Sequence, residues 1–253
     1  MDVAWEEFGW ERLAPGVGRT RLPGWDATVG LVVGGAAALL FDAGSTLREG
    51  AALRGQVQGL LGGRRVTHIA LSHAHFDHVL GAAAFAGAQV FGAMGLDEVL
   101  ASERDALRDD AVREGVPRRE AGEAVDVLVR PHHLVCGDWT LDLGDRRVLL
   151  ADVGPGHTGH DLALLVPGAE GDAGGRPEGG GPPGVVFCGD LVEESGEPQA
   201  GPDAVPSRWP AALDRLLELG GAGARYVPGH GAVVDAAFVR AQRDELARRF
   251  AVS

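Results

Sequence analysis

Three histidines and an aspartate lie within six residues of one another, in the segment His73-Ala74-His75-Phe76-Asp77-His78. An apolar run, 66–71, comes directly before this segment and predicts a buried strand that ends where the cluster begins. Successive side chains of an extended segment point to opposite faces, so we expect His73 and His75 to share a face. Asp77 and His78 follow at the start of a predicted helix. His73 and His75 would thus point in one direction, and Asp77 and His78 in another. This arrangement suits two adjacent metal ions better than one.

Three further apolar runs each lead through a tight glycine turn to a candidate ligand. Their motifs are GPGHTGH with His157, FCGD with Asp190 and VPGHG with His230. Any one of these residues alone is more often a surface histidine or a turn aspartate. Sites in α/β proteins form outside the carboxyl ends of strands, where these segments would meet the first cluster. Seven polar groups that converge without a cation would be costly to bury, so together they predict a metal site.

The composition excludes several classes of function. The formal net charge is −13 and every basic side chain is an arginine, which argues against a nucleic-acid partner. The sequence has no apolar run of about 18 residues, the length that a membrane-spanning helix requires. The acidic segment 1–10 does not resemble a signal peptide, so we expect a cytoplasmic protein. The composition does not indicate an oligomeric state.

Two cysteines, Cys136 and Cys188, form neither a CxxC pair nor a disulfide framework. We expect both to be buried as small hydrophobic side chains in a reducing compartment. The pattern assigns neither of them a functional role.

Alternating strand and helix signals predict an α/β layered protein. We expect one domain over residues 1–253, with a helical insertion at about 95–130 and a flexible Gly- and Pro-rich loop at about 168–184. The principal predicted strands are 28–33, 36–41, 66–71, 89–91, 140–143, 147–153, 161–166, 184–187 and 224–227. The predicted helices are 47–61, 79–85, 96–112, 118–127, 209–219 and 235–250.

The motifs HAHFDH, GPGHTGH, FCGD and VPGHG, in this order, resemble those of the metallo-β-lactamase superfamily. They are most similar to its dinuclear branch, which includes glyoxalase II-like thioesterases and quorum-quenching lactonases, and the resemblance covers roughly residues 17–250. It implies an αββα four-layer sandwich, in which two mixed β-sheets lie face to face with helices outside and metals at one sheet edge.

The resemblance also implies a role for each candidate residue. One metal ion would be bound by His73, His75 and His157, a second by Asp77, His78 and His230, and Asp190 would bridge the two. Ligands of this kind suit two zinc ions per chain, and iron or manganese is also compatible. Asp42, and by the same reasoning Thr158, would lie behind the site and orient a histidine ligand.

This ligand set predicts a metallo-hydrolase in which a bridging hydroxide attacks an ester, thioester, lactone or amide carbonyl of a small molecule. Asp77 and Asp190 would be its catalytic carboxylates. The alternative is a mononuclear iron-dependent dioxygenase of the persulfide dioxygenase type, and a third class is a non-catalytic metal-binding domain. The motifs specify neither the substrate nor the general acid for the leaving group.

Overall fold

The computed structural model describes residues 3–168 and 182–251. Within these ranges the chain forms a seven-stranded and a five-stranded sheet. The first sheet has the order β1-β2-β3-β4-β5-β6-β7, with strands Glu11–Ala14, Val17–Arg21, Thr28–Val33, Ala38–Phe41, His68–Ala70, Gln89–Ala93 and His133–Val135. The second has the order β12-β11-β10-β9-β8, and in chain order β8 to β12 are Asp138–Asp142, Arg147–Asp152, Leu162–Val166, Val185–Glu193 and Arg225–His230.

Both sheets are mixed. Strands β4 to β7 run parallel to one another, whereas β1 to β4 pair antiparallel. In the second sheet β11 and β12 are parallel and the remaining pairs are antiparallel. The helices α1 to α7 are Leu47–Leu60, Phe76–Val79, Leu96–Ser102, Arg104–Arg113, Arg118–Asp126, Trp209–Gly220 and Ala236–Arg249. In the described ranges, no helix is both long and apolar enough to cross a membrane.

Three clusters of buried side chains separate the four layers. Strand β4 illustrates the division, because its successive side chains alternate between two clusters as a pleated strand requires. Leu39 and Phe41 face the core between the sheets, whereas Ala38 and Leu40 face the helices α1 to α5. A third cluster packs the second sheet against α6 and α7. The predicted αββα sandwich is therefore confirmed.

Several predicted boundaries differ from the structure. Only His68–Ala70 of the run 66–71 is a strand, and the helix predicted at 79–85 is divided into α2 and a 3-10 helix, Ala82–Ala84. The division occurs at Gly81, where a Cβ atom would lie 2.0 Å from the carbonyl oxygen of Ala43. Strand β11 extends to Glu193, beyond its predicted end at 187, because pairing with β12 continues.

The insertion predicted at 95–130 contains the three helices α3 to α5. Of the loop predicted at 168–184, residues 169–181 lie outside the described ranges. The prediction for the cysteines is half correct. Cys188 is buried in β11, but Cys136 is exposed, because it lies in the connection 136–137 between β7 and β8 and not in a strand.

The two sheets approach closely at Gly30, which predicts a packing defect on substitution. A Cβ atom at Gly30 would lie 2.4 Å from the ring of Phe187, which packs against Phe41 with ring centroids 5.6 Å apart. We expect Gly30→Ala to lower the free energy of unfolding by about 1–3 kcal/mol, because overpacking displaces this ring pair. Equilibrium unfolding in urea measures the change.

Gly55→Ala is the matched control. Gly55 lies on the exposed face of α1, and its added methyl group would meet nothing within 4 Å. We expect this variant to gain about 0.5–1 kcal/mol, since alanine favours a helix interior over glycine. Equal stabilities for the two variants would contradict the tight approach of the sheets at Gly30.

Candidate metal centre

The first histidine cluster lies in the loop between β5 and α2. His73 lies at a bend of the loop, His75 is the N-cap residue of α2, and Asp77 and His78 lie in the helix itself. Asp42 follows the neighbouring parallel strand β4 and fixes the start of this loop. Its carboxylate accepts hydrogen bonds from Ser72, from the backbone N at 2.7 Å and from Oγ at 2.8 Å.

The other three candidates reach the same edge of the sandwich from the second sheet. His157 lies in the turn between β9 and β10, Asp190 lies within β11, and His230 is the last residue of β12. Gly229 lets the backbone of β12 pass beside Asp190, because a Cβ atom there would lie 1.8 Å from Asp190 Oδ1. The structure thus brings together all seven side chains that the sequence singles out.

His73, His75, His157 and Asp190 form the first group of potential ligands. One ligand atom from each lies within 4.8 Å of the other three. Asp190 Oδ2 is 3.6 Å from Nε2 of His73 and 3.5 Å from Nε2 of His157, which is itself 3.1 Å from Nδ1 of His75. Three imidazoles and one carboxylate at this spacing can surround a divalent cation.

Asp77, His78 and His230 form the second group. Asp77 Oδ2 lies 3.6 Å from Nε2 of His78 and 3.5 Å from Nε2 of His230. Asp190 borders this group as well, with Oδ1 at 3.1 Å from His78 Nε2 and Oδ2 at 3.3 Å from His230 Nε2. Asp190 is therefore common to the two groups.

Several polar atoms that face this centre are buried without a hydrogen bond of acceptable geometry. They are Nε2 of His73, Nε2 of His78 and Oδ1 of Asp190, in residues that are at most 6 % exposed. Buried polar groups in folded proteins are nearly always paired, and an unpaired one costs free energy. Cations held by the two groups would satisfy these atoms, so the residues present fit a metal centre.

In most of the candidate histidine ligands, the ring nitrogen that points away from the centre has a hydrogen-bond partner. The Ser72 hydroxyl donates its hydrogen to Asp42, so His73 Nδ1, 2.8 Å from Ser72 Oγ, must be the donor of that contact. His78 Nδ1 lies 2.9 Å from Asp42 Oδ2, and His230 Nδ1 lies 2.7 Å from the backbone oxygen of Trp25. These contacts leave the Nε2 lone pair of each ring free for a cation.

Asp203 is a functional candidate that sequence reasoning missed. Its Oδ2 lies 3.1 Å from Nε2 of His75, which turns Nδ1 of that ring towards the centre. His75 and Asp203 are 128 residues apart. Asp203 lies in the loop before α6 and has no motif around it, so no sequence signal could have identified it.

Ser72, which precedes the histidine cluster, was missed too, although its position beside His73 was a signal.

Thr158 does not contact a histidine side chain as predicted. Its hydroxyl donates to Asp161 Oδ1 at 2.7 Å, and its backbone N donates to the same carboxylate. Burial raises the pKa of Asp161 to about 7, against the opposing effect of these hydrogen bonds. Thr158 and Asp161 therefore stabilise the turn that carries His157, and Thr158 acts on the site through the backbone.

The electrostatic environment differs between the two groups. Burial lowers the pKa of His157 to about 4 and that of His73 well below its usual value, so both rings are neutral at pH 7. Burial also disfavours charge on His78 and His230, but Asp190 and its neighbours outweigh it and raise the pKa of His230 to about 9. The carboxylates of the second group thus attract positive charge, which a metal ion would supply in place of protons.

Comparisons with known proteins identify the family and the fold of this chain. A sequence model of the metallo-beta-lactamase superfamily matches residues 22–230, whereas a search of curated proteins gives no significant match. The fold is similar to that of the metallo-beta-lactamase FIM-1 from Pseudomonas aeruginosa in its mono-zinc form, with a TM-score of 0.66, 19 % identity and 96 % of each chain covered. It is also similar to a metallo-beta-lactamase from Pontibacter korlensis, with a TM-score of 0.69, 18 % identity, and 94 % of this chain and 97 % of the other covered. The chain therefore belongs to the metallo-beta-lactamase superfamily and is a metallo-hydrolase.

Proposed function

We propose that this chain hydrolyses an ester, thioester, lactone or amide bond of a small molecule with the help of two divalent metal ions. Zinc is the ion that the imidazole-rich set suits best, and iron and manganese are the alternatives. One observation carries the proposal: Nε2 of His73, Nε2 of His78 and Oδ1 of Asp190 belong to the two groups of potential ligands and are buried without a hydrogen bond of acceptable geometry.

The two groups of side chains suggest how the ions would be shared. We assign His73, His75 and His157 to the first ion and Asp77, His78 and His230 to the second. Asp190 would bridge them, since its two oxygens lie 3.1–3.6 Å from imidazole nitrogens of both groups. A single carboxylate between two groups of ligands supports a dinuclear rather than a mononuclear centre.

When bound, two divalent ions would lower the pKa of a coordinated water to about 7 and would stabilise the oxyanion that develops on the substrate. The protein's own groups would hold the reactants. Asp190 neutralises part of the charge between the two groups. Asp77 has two carboxylate oxygens, so one can face the second ion while the other accepts a proton from the attacking water.

His78 would be oriented by Asp42, and this is the role that the sequence predicts for Asp42. Its Oδ2 accepts from Nδ1 of His78, and the residue is 1 % exposed. Burial raises the pKa of Asp42, while the hydrogen bonds from His78 and Ser72 oppose that shift. A buried carboxylate behind a ligand histidine fixes the ring and increases its basicity.

Metal analysis of the purified protein tests the proposal directly. We expect about two zinc ions per chain and hydrolysis of an activated ester or lactone that a chelator abolishes and zinc restores. Elemental analysis together with a chromogenic assay measures both quantities. One structural neighbour is described as a mono-zinc form, so the number of ions is itself informative. A single iron ion with oxygen consumption would instead support the dioxygenase, and a protein that binds no metal would refute both functions.

Substitution of one ligand in the turn after β9 and one within β11 tests the assignment of the ligands. We expect His157→Ala and Asp190→Ala to lose at least one ion and to lower kcat by more than about a hundredfold, because each removes a direct ligand. Circular dichroism checks that the variants remain folded. His133→Ala is the control, since His133 begins β7 and interacts with Gln89, away from the centre. Full metal content and activity in either test variant would show that the assignment is wrong.

Asp203 offers a test of the contacts behind the ligands. We expect Asp203→Asn to weaken binding of the first ion by about 10- to 100-fold, because His75 loses the carboxylate that orients it. Competition with a zinc chelator measures the dissociation constant. Asp138→Asn is the control, as Asp138 makes an exposed ion pair with Arg215 that contributes little. Unchanged affinity in Asp203→Asn would remove this residue from the centre.

A further inference from the structure

A third carboxylate, that of Glu193, lies beside the second group of ligands. One ligand atom each of Glu193, Asp190 and His230 lies within 4.8 Å of the other two. Sequence reasoning did not single out Glu193, and its chemistry is not used by the proposed assignment of seven ligands. Its position therefore needs a physical explanation.

An irregularity in strand pairing brings Glu193 to the centre. In a regular strand, residues three apart such as Asp190 and Glu193 point to opposite faces. Here Gly189 pairs with Pro228 and Glu193 pairs with His230, so four steps along β11 match two along β12. Extra residues of this kind re-aim side chains and are common next to active sites. As a result, both carboxylates lie near His230.

The backbone around Glu193 is fixed by the outer helical layer. Gln242 of α7 is buried, accepts a hydrogen bond from the backbone N of Glu193 at 3.1 Å and donates to the backbone oxygen of Leu191 at 2.8 Å. Trp209 of α6 donates to the same oxygen of Leu191 at 3.0 Å. Two helices therefore hold the irregular end of β11 in one conformation.

The Glu193 carboxylate is buried beside a second carboxylate. The residue is 9 % exposed, and one of its oxygens lies within 4.8 Å of a ligand atom of Asp190 and of His230. Buried carboxylates this close together are stable as anions only beside a compensating cation. Asp190 Oδ1, which is buried and has no hydrogen-bond partner, points to the same missing positive charge.

We infer that Glu193 is a further ligand of the metal centre, bound to the second ion together with Asp190 and His230. The inference rests on the proposed function, because it presupposes that the centre binds metal. With Glu193 the second ion would have three carboxylates, from Asp77, Asp190 and Glu193, beside two imidazoles, whereas the first would have three imidazoles and one carboxylate. Oxygen ligands favour harder ions, so the second position should accept manganese more readily than the first does.

Titration of the metal-free protein with Mn²⁺ and with Zn²⁺ in a calorimeter tests this inference. Glu193→Gln keeps the volume of the side chain and removes its charge. We expect the first dissociation constant to stay within about twofold, and the second to rise at least about tenfold, more for Mn²⁺ than for Zn²⁺. Glu197→Gln, an equal change of charge at a nearby exposed position, should bind both ions like the wild type.

Thermal melting with and without metal separates a lost ligand from a damaged fold. We expect the metal-free forms of wild type and Glu193→Gln to melt alike, and the saturated variant to gain less stability than the saturated wild type. A second dissociation constant within twofold of the wild type would overturn the inference and leave the proposed function intact. Absence of metal binding by the wild type would refute the proposed function itself.

If Glu193→Gln does not fold, Glu193→Asp replaces it. We expect the same rise in the second dissociation constant, and a value within twofold of the wild type would again refute the inference.

Discussion

The centre depends on the burial of one carboxylate, Asp190, among imidazole rings. Asp190 is 6 % exposed, and the nearest nitrogen atoms of His73, His78, His157 and His230 lie 3.1–3.6 Å from its oxygens. Burial by itself would raise the pKa of Asp190, but His78, His73 and His230 hold it well below its usual value. The carboxylate thus remains an anion that requires positive charge around it. Protons on the second group or metal ions can supply that charge, and metal ions would also satisfy the buried Nε2 atom of His73.

The sandwich makes this burial possible because it supplies rigid walls on each side. The first sheet contributes the loop after β5, and the parallel neighbour β4 adds Asp42 behind it. The second sheet contributes β11, whose outer face is covered by α6 and α7. Trp209 and Gln242 of these helices meet at the backbone oxygen of Leu191, directly after Asp190. Helices α6 and α7 therefore fix the strand that carries the Asp190 carboxylate, although they contribute no candidate ligand.

The histidines are held in two different ways. His73, His75, His78 and His230 have hydrogen-bond partners for their outer ring nitrogens, and these partners determine which nitrogen faces the centre. His157 is the exception among them, since its Nδ1 is buried without a hydrogen bond. Its ring packs edge-on against Trp209, with centroids 5.3 Å apart. Packing therefore sets the orientation of His157, and a hydrogen bond sets that of the others.

The sequence alone identified the class of fold and the seven side chains of the candidate centre. The fold followed from the resemblance of the four motifs to a known family. The seven residues followed from their types and spacing, because each motif comes after an apolar run and strands that run in the same direction end at one edge of a sheet. Tertiary structure decided which side chains support the ligands. Asp203 contacts His75 across 128 residues, and the backbone of Trp25 contacts His230 across 205, so neither contact leaves a local pattern. The position of Glu193 could not be predicted from the sequence either. The period of a regular strand places Glu193 and Asp190 on opposite faces, and only the irregular pairing with β12 brings the two side chains together. Local spacing is encoded in the chain, whereas the register between distant strands is fixed only when the sheets pack.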